Sequence, residues 1–209
     1  REITRLQRDI TVYGGKYKAV VGSHGFTSQV FINHGRFVAK PGEPSLSRFV
    51  QALTEDISPQ SGDYREQRVQ RLLDFVSLEI SYNYKEAAAG YETMRHPCGV
   101  LMTGHSDCSN KVILLASLLE QIGEDYLVLY TRDHVAVAVK QGGFSSDNGM
   151  TLLYSGESWA VAEATAQGFM IGVSVCNPSW DVESVRWIQR PKERNVIREA
   201  KTGRKLPMR

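Results

Sequence analysis

The stretch TGHSDCSNKVILLASLLEQIG, residues 103–123, joins a small polar turn to a strongly apolar run and places a cysteine at the junction. The run predicts an amphipathic helix because its large residues recur at the spacing of one helical face, at Val112, Leu115, Ala116, Leu119 and Ile122. Ser106 or Asp107 is suited to cap this helix, and Gly123 is typical of the position after its last turn. Cys108 lies one turn before the apolar face begins, so we expect it on the inward side of the first turn.

The position of Cys108 at the start of a helix favours a reactive thiol. Unpaired backbone amides and the positive end of the helix dipole both stabilise a thiolate at that point. The alternative is a thiol that simply packs in the core, which is common for cysteine.

Length and composition indicate one globular domain with a sizeable core. The chain has 209 residues, of which 42% are hydrophobic. No apolar run approaches the roughly 20 residues that span a bilayer, and no signal peptide is recognisable at the amino end. Because the chain begins with Arg1 and not Met, we expect a processed product or a piece of a longer protein.

The basic residues are concentrated at the carboxyl end. Residues 186–209 carry nine Lys and Arg against two Glu, whereas residues 1–185 carry sixteen basic and twenty-one acidic groups. A basic tail suits nucleic acid or an anionic membrane surface, but the rest of the chain lacks the interleaved aromatic and basic residues of a nucleic-acid platform. We therefore expect no nucleic acid as a partner, and a tail that is solvated or leads to a membrane tether outside the chain.

Upstream of the cysteine the chain divides into strand-like and helical segments. Residues 9–40 alternate in short runs broken by glycines, which predicts strands and turns. Helices are predicted near 46–55 and from about 64 to 81. Residues 82–107 form a long irregular connection, and such loops are often functional. We expect three parts, namely a strand-rich extension packed on the core (1–60), the core (61–185) and the basic tail (186–209).

Downstream of the cysteine the pattern predicts antiparallel strands. In DHVAVAVK, His134 shares one face with two small alanines and the valines occupy the other face, so the alanine face would let the cysteine's helix approach closely. In SWAVAEAT, Trp159 and Glu163 share a face, and a carboxylate on a buried face needs a partner. Cysteine, histidine and glutamate in this order could supply a nucleophile, a base and an orienting group.

The segments GHSDCSNKVILLASLLEQIG, DHVAVAV and WAVAEAT, in that order, resemble the transglutaminase-like superfamily, a variation on the papain arrangement. The resemblance covers roughly residues 64–166. It implies an α+β fold in which a central helix carrying the cysteine packs on an antiparallel sheet, with additional amino-terminal strands. It further implies Cys108 as the nucleophile, His134 as general base and acid, and Glu163, where Asp is more usual, as the group that orients the imidazole.

The resemblance also implies donors for an oxyanion and residues of a cleft. The backbone amide of Cys108 is expected to be one oxyanion donor, because amides at a helix start can stabilise such a charge. A second donor is expected from the upstream loop, where the candidates are Tyr82, Asn83 and Tyr84. The cleft would be lined by Trp159 and His105.

Three functions stay open on the sequence. The first is a cysteine amidase or peptidase that acts on a peptide or protein substrate by hydrolysis or transamidation and needs no cofactor. The second is a catalytically inactive transglutaminase-like domain that binds or senses a ligand, as the extracytoplasmic, periplasmic part of a membrane protein. The third is a metal-binding module, because four soft ligands could converge, namely Cys98, His105, Cys108 and His134.

Zinc sites commonly use paired cysteines, and Cys98, Cys108 and Cys176 show no such spacing. We therefore expect no metal. His24 and His34 lie among the glycine-punctuated segments without acidic or cysteine neighbours, and we expect both to be exposed turn residues.

Overall fold

A computed structural model describes residues 19–24, 27–89, 93–131, 134–144, 150–172, 184–193, 196–203 and 205, with side chains from residue 32 onward. The fold is α+β, as the sequence predicts, with a curled antiparallel sheet. A central helix lies against one face of this sheet, and further helices cover the helix from other sides.

The helices and strands alternate irregularly along the chain. The helices are α1 (Pro44–Thr54), α2 (Tyr64–Asp74), α3 (Tyr84–Ala87), α4 (Pro97–Thr103) and α5 (Cys108–Gln121). The strands are β1 (Ala19–His24), β2 (Thr27–Ile32), β3 (Ser81–Tyr82), β4 (His105–Ser106), β5 (Tyr126–Tyr130), β6 (Val135–Lys140), β7 (Thr151–Tyr154), β8 (Glu157–Ala162), β9 (Trp187–Arg190) and β10 (Val196–Glu199). Helical turns lie at His34–Arg36, Phe75–Glu79 and Pro191–Glu193, the second of them a π-helical turn.

Helix α5 starts and stops where its sequence predicts. The Asp107 carboxylate caps it by accepting a hydrogen bond of 3.0 Å from the amide of Asn110. Gly123 follows the last turn with φ +73°, a conformation that favours glycine. The sequence predicts one buried apolar face, however, whereas every residue of α5 from Ser109 to Glu120 is buried, so the helix is enclosed on all sides. The sheet covers one side of the helix, and α1, α2 and α4 pack on the others.

The main sheet has six antiparallel strands in the order β10-β9-β5-β6-β8-β7. The face on which each set of β6 side chains lies differs from the prediction. The valines of β6 pack toward α5, whereas Ala136 and Ala138 lie on the opposite face together with Trp159. The larger side chains face the helix because that side carries the main core, so the expected close approach through the alanines is wrong.

The basic carboxyl-terminal segment contributes two strands to the sheet. Strand β9 pairs with β5, β10 pairs with β9, and Ile188 and Ile197 are each only 1% exposed. A solvated tail therefore does not describe these strands, because Trp187 and Ile197 pack in the main core while Ile188 packs in the cluster on the other face of the sheet. The division into an extension, a core and a tail stays a prediction. Within the part of the chain that the structure describes, no helix is both long and apolar enough to cross a membrane.

The connection between α2 and α5 is more regular than its sequence suggests. The predicted helix ends at Asp74 and passes through the π-helical turn into β3, and α3, α4 and β4 follow. Strand β3 pairs in parallel with β4, so that Tyr82 lies opposite Ser106. This pairing brings Tyr82 to the start of α5.

His34 is buried, contrary to the expectation of an exposed turn. His34 is only 5% exposed, and its Nδ1 forms a hydrogen bond of 2.9 Å with the carbonyl of Ile32. The centre of its ring lies 5.3 Å from that of the Tyr130 ring. Burial lowers the pKa of His34 to about 4, so the ring is neutral at pH 7. The side chain of His24 lies outside the described residues.

The burial of β10 predicts how the carboxyl-terminal segment contributes to stability. Replacing Ile197 with Ala should lower the free energy of unfolding by about 2–5 kcal/mol, because it empties a packed site. Replacing the exposed Lys201 with Ala should change it by less than about 0.5 kcal/mol. Urea denaturation measures both values. Equal and negligible effects would contradict the packing of β10.

Candidate active site

Cys108 is the first residue of α5 and is half-buried. Two hydrogen bonds fix the upstream loop against this helix start. The Asn110 side chain accepts from the Arg95 amide at 2.8 Å and donates to the Thr93 carbonyl at 2.7 Å. An ion pair of 2.7 Å between Arg95 and Glu86 ties the loop to α3. The thiol therefore lies at a rigid junction between the helix and its approach.

His134 and Glu163 meet at one edge of the sheet. His134 precedes β6 and Glu163 follows β8, and these neighbouring strands are antiparallel, so the start of one lies beside the end of the other. His134 Nε2 and Glu163 Oε2 are 2.9 Å apart. The side chain of Glu163 is 0% exposed and that of His134 is 15% exposed. A buried carboxylate thus has the partner that the sequence led us to expect.

The cysteine completes this group. The Cys108 thiol forms a hydrogen bond with the His134 side chain. The structure therefore brings together Cys108, His134 and Glu163, the three residues that the resemblance singles out.

Strand alternation alone predicts the wrong side of the sheet for this group. It places Glu163 on the face of Trp159, which lies away from α5. Glu163 nevertheless reaches the histidine beside Cys108, because both residues lie just beyond the ends of their strands, where alternation no longer fixes the direction of a side chain. Trp159 itself is fully buried in the second core cluster. The assignment of Trp159 to a cleft is therefore wrong.

Hydrogen bonds set the charges in this group. Burial by itself would raise the pKa of Glu163, but the hydrogen bonds from His134 and Thr165 outweigh it and lower that pKa. Thr165 donates to Glu163 Oε1 from its amide at 2.8 Å and from its hydroxyl at 2.5 Å. Burial by itself would lower the pKa of His134, but hydrogen bonds to Cys108 and Glu163 raise it to about 9. At pH 7 the imidazole is therefore protonated beside the thiol.

The three upstream residues expected to supply a second oxyanion donor, Tyr82, Asn83 and Tyr84, occupy different positions. The Tyr82 hydroxyl forms a hydrogen bond with Cys108, and burial together with the thiol raises the pKa of Tyr82, so the phenol is a neutral donor. The Asn83 side chain caps α3 and bonds with Nδ1 of the exposed His105 at 3.1 Å. Tyr84 is 78% exposed and packs edge-on against the Tyr82 ring. Among these candidates, Tyr82 is the one that contacts the thiol.

Two further residues belong to this group although the sequence assigned them no role. Thr165 orients Glu163. In the sequence, the only indication of this role was the threonine two residues after Glu163 in the WAVAEAT segment. Lys111 lies one turn after Cys108 and is 1% exposed. In the sequence, its only indication was a charged residue directly before the apolar run of the helix, and a charge that is buried there requires a partner.

The metal-binding alternative requires several ligands in one cluster. Within the described ranges, no group of three or more His, Cys, Asp or Glu side chains is arranged to hold a metal ion. Cys98 packs against the main core, and His105 is exposed on β4. Cys176 lies outside the described residues.

Comparisons with known proteins leave the family open. No family model matches this chain, and no curated protein matches it. Among solved structures, it is similar to a crystal structure of a "putative protease" from Parabacteroides distasonis, with 15% sequence identity and a TM-score of 0.40. That match covers 75% of this chain and 35% of the other, so this chain spans about a third of that protein's length. The chemistry of the site rests on its own geometry.

The pKa of His134 can be tested by NMR titration of its imidazole. We expect a value of about 9 in the parent protein. Cys108→Ala removes one partner of the imidazolium and Glu163→Gln removes the charge of the other, so each substitution should lower this pKa toward the ordinary histidine value of 6.5. An unchanged titration in both variants would contradict the assigned contacts.

Proposed function

We propose that this chain is a transglutaminase-like cysteine amidase or peptidase that acts on a peptide or isopeptide bond through an acyl-enzyme. The observation that carries the proposal is the hydrogen bond of 2.9 Å between His134 and the buried Glu163, made beside Cys108 at the start of α5. The order of elements also supports it, because a helix that starts with cysteine precedes the antiparallel strands that border the histidine and the glutamate.

The first step is attack by the thiolate. A protonated imidazole and the first turn of a helix both favour the thiolate form of cysteine. The Cys108 sulfur adds to the carbonyl carbon of the substrate, and the carbonyl oxygen becomes an oxyanion. His134 then gives its proton to the nitrogen of the leaving amine as the carbon–nitrogen bond breaks. The products of this step are a free amine and a thioester on Cys108.

The oxyanion is stabilised by two donors in this proposal. The backbone amide of Cys108 belongs to the first turn of α5, where amides have no partner within the helix. The Tyr82 hydroxyl lies within hydrogen-bonding reach of the thiol and retains its proton at pH 7. Loss of one such donor typically lowers the rate by about 10²–10³-fold.

The second step resolves the thioester. Neutral His134 takes a proton from water or from an amine as that nucleophile adds to the thioester carbonyl, and Cys108 leaves as the thiolate. Water yields a carboxylate, whereas an amine yields a new amide bond. The substrate class is therefore a peptide or protein amide, and water access to the thioester decides between hydrolysis and transamidation.

Glu163 acts on the histidine and not on the substrate. Its carboxylate fixes the ring orientation through Nε2 and stabilises the imidazolium, while Thr165 holds the carboxylate. The extra methylene relative to aspartate is accommodated because the carboxylate reaches Nε2 at 2.9 Å. A neutral amide at this position would keep the shape but lose the charge.

Acyl-enzyme formation can be tested with p-nitrophenyl acetate in a variant that keeps Cys108 and replaces Cys98 and Cys176 with Ser. We expect a burst of p-nitrophenolate and a protein heavier by one acetyl group on Cys108. Cys108→Ala should abolish the burst, and Glu163→Gln should slow it by about 10²–10⁴-fold without removing the nucleophile. Stopped-flow absorbance and mass spectrometry of the intact protein measure these outcomes.

Casein and a fluorescent primary amine then separate the two activities. Amine incorporation into casein indicates transamidation, and released peptides indicate hydrolysis. A folded parent protein that neither acylates at Cys108 nor acts on casein would contradict the proposal. The domain would then be a binding or sensing module.

A further inference from the structure

Lys111 is a fully buried cation on the central helix. It lies one turn after Cys108, is 1% exposed and is among the largest fully buried side chains of the described residues. Its Nζ donates hydrogen bonds to the carbonyls of Ser77 at 3.3 Å and Ala164 at 3.1 Å. Two carbonyl groups do not neutralise an ammonium, and a buried charge without a counter-charge is strongly unfavourable.

The two carbonyls come from elements that border the site. Ser77 belongs to the π-helical turn that extends α2, a type of turn that is frequent at functional sites. Ala164 directly follows Glu163. Lys111 therefore connects the helix of the cysteine, the end of α2 and the loop of the glutamate.

Glu163 supplies a counter-charge for Lys111, because its carboxylate acts on the ammonium and raises the pKa of Lys111. The π-helical turn and the loop after β8 contribute uncharged carbonyls. Beside Lys111 along the helix and its cap lie Cys108 and the buried Asp107, whose backbone carbonyl accepts from the Lys111 amide at 3.1 Å. Burial lowers the pKa of Lys111 to about 8 and Glu163 raises it in part, so the side chain is an ammonium at pH 7.

The sum of the buried charges explains why a cation is useful there. With a thiolate on Cys108 and an imidazolium on His134, the carboxylate of Glu163 would leave the group with a net negative charge. The ammonium of Lys111 brings the sum over these four side chains to zero, while the buried carboxylate of Asp107, next to Cys108, adds one further negative charge. A low-dielectric site tolerates separated charges best when they balance.

We propose that Lys111 is a positioning residue of this site: its ammonium holds the Glu163–Thr165 loop through the Ala164 carbonyl and balances the Glu163 carboxylate, so that Glu163 stays ionised against His134. The proposal rests on the function proposed above for Cys108. It concerns Glu163 directly, however, and its consequences for the imidazole do not require turnover.

Two neutral variants separate the charge from the hydrogen bonds. Lys111→Met removes both, whereas Lys111→Gln removes the charge and retains an N–H donor. We expect both to lower the pKa of His134 in an NMR titration, because Glu163 turns away from the ring once its counter-charge is gone, and the loss of that contact outweighs the loss of a nearby positive charge. We also expect both to slow iodoacetamide alkylation of Cys108 at neutral pH by about 10-fold or more.

Ser117→Ala is the matched control. Ser117 is buried on the same helix and its hydroxyl bonds with the amide of Ala39 and the carbonyl of Ile113, far from the site. Its loss should lower the thermal stability while leaving the His134 titration and the alkylation rate unchanged. Lys111→Arg, which retains the charge, should stay closer to the parent in both readouts than Lys111→Gln.

The outcomes distinguish the two proposals. Folded Lys111→Met and Lys111→Gln proteins with the parent titration, or a His134 pKa that rises, would overturn the positioning role. If neither variant folds, Lys111 is a structural residue and the proposal is likewise overturned. If the parent protein shows no acyl transfer but the His134 titration moves as expected, the proposed function fails and the role of Lys111 stands.

Discussion

The burial of the central helix is the constraint on which the rest of the structure depends. All residues of α5 from Ser109 to Glu120 are buried, so the helix needs the sheet on one side and other helices around it. Burying one such aliphatic side chain completely stabilises the folded state by about 1.5–3 kcal/mol relative to leaving it exposed. Within α5 only the two end residues, Cys108 and Gln121, are half-buried. The thiol therefore lies at the amino-terminal end of a helix that is otherwise enclosed.

The same burial gives the polar residues of the site their properties. Glu163 has no access to water, so its charge depends on His134 and Thr165 as partners. His134 is held between that carboxylate and the thiol, and this arrangement raises its pKa to about 9 although burial opposes it. The group of Cys108, His134 and Glu163 is thus a set of mutually compensating charges, and a change at Cys108 or Glu163 should shift the pKa of His134.

The sequence predicted the parts of the molecule that depend on local pattern. The start of α5, its capping by Asp107 and the identity of Cys108, His134 and Glu163 as neighbours followed from caps, periodicity and a resemblance. Alternation failed for Trp159 and for the valines of β6, because which face of a strand is inward depends on where the helix packs. The burial of His34, Lys111 and the strands after residue 186 depends on contacts between distant segments, which local patterns do not encode.

The most direct test is the rate of iodoacetamide alkylation of Cys108 as a function of pH, with Cys98 and Cys176 replaced by Ser. A thiolate held beside an imidazolium should react rapidly down to about pH 6, whereas the His134→Ala variant should react appreciably only near the pH at which a free thiol ionises, about 8.5. Fast alkylation in the parent that is lost in the variant is the result we predict. Slow alkylation at about pH 6 in both proteins, with the pH profile of a free thiol, would contradict a poised catalytic cysteine.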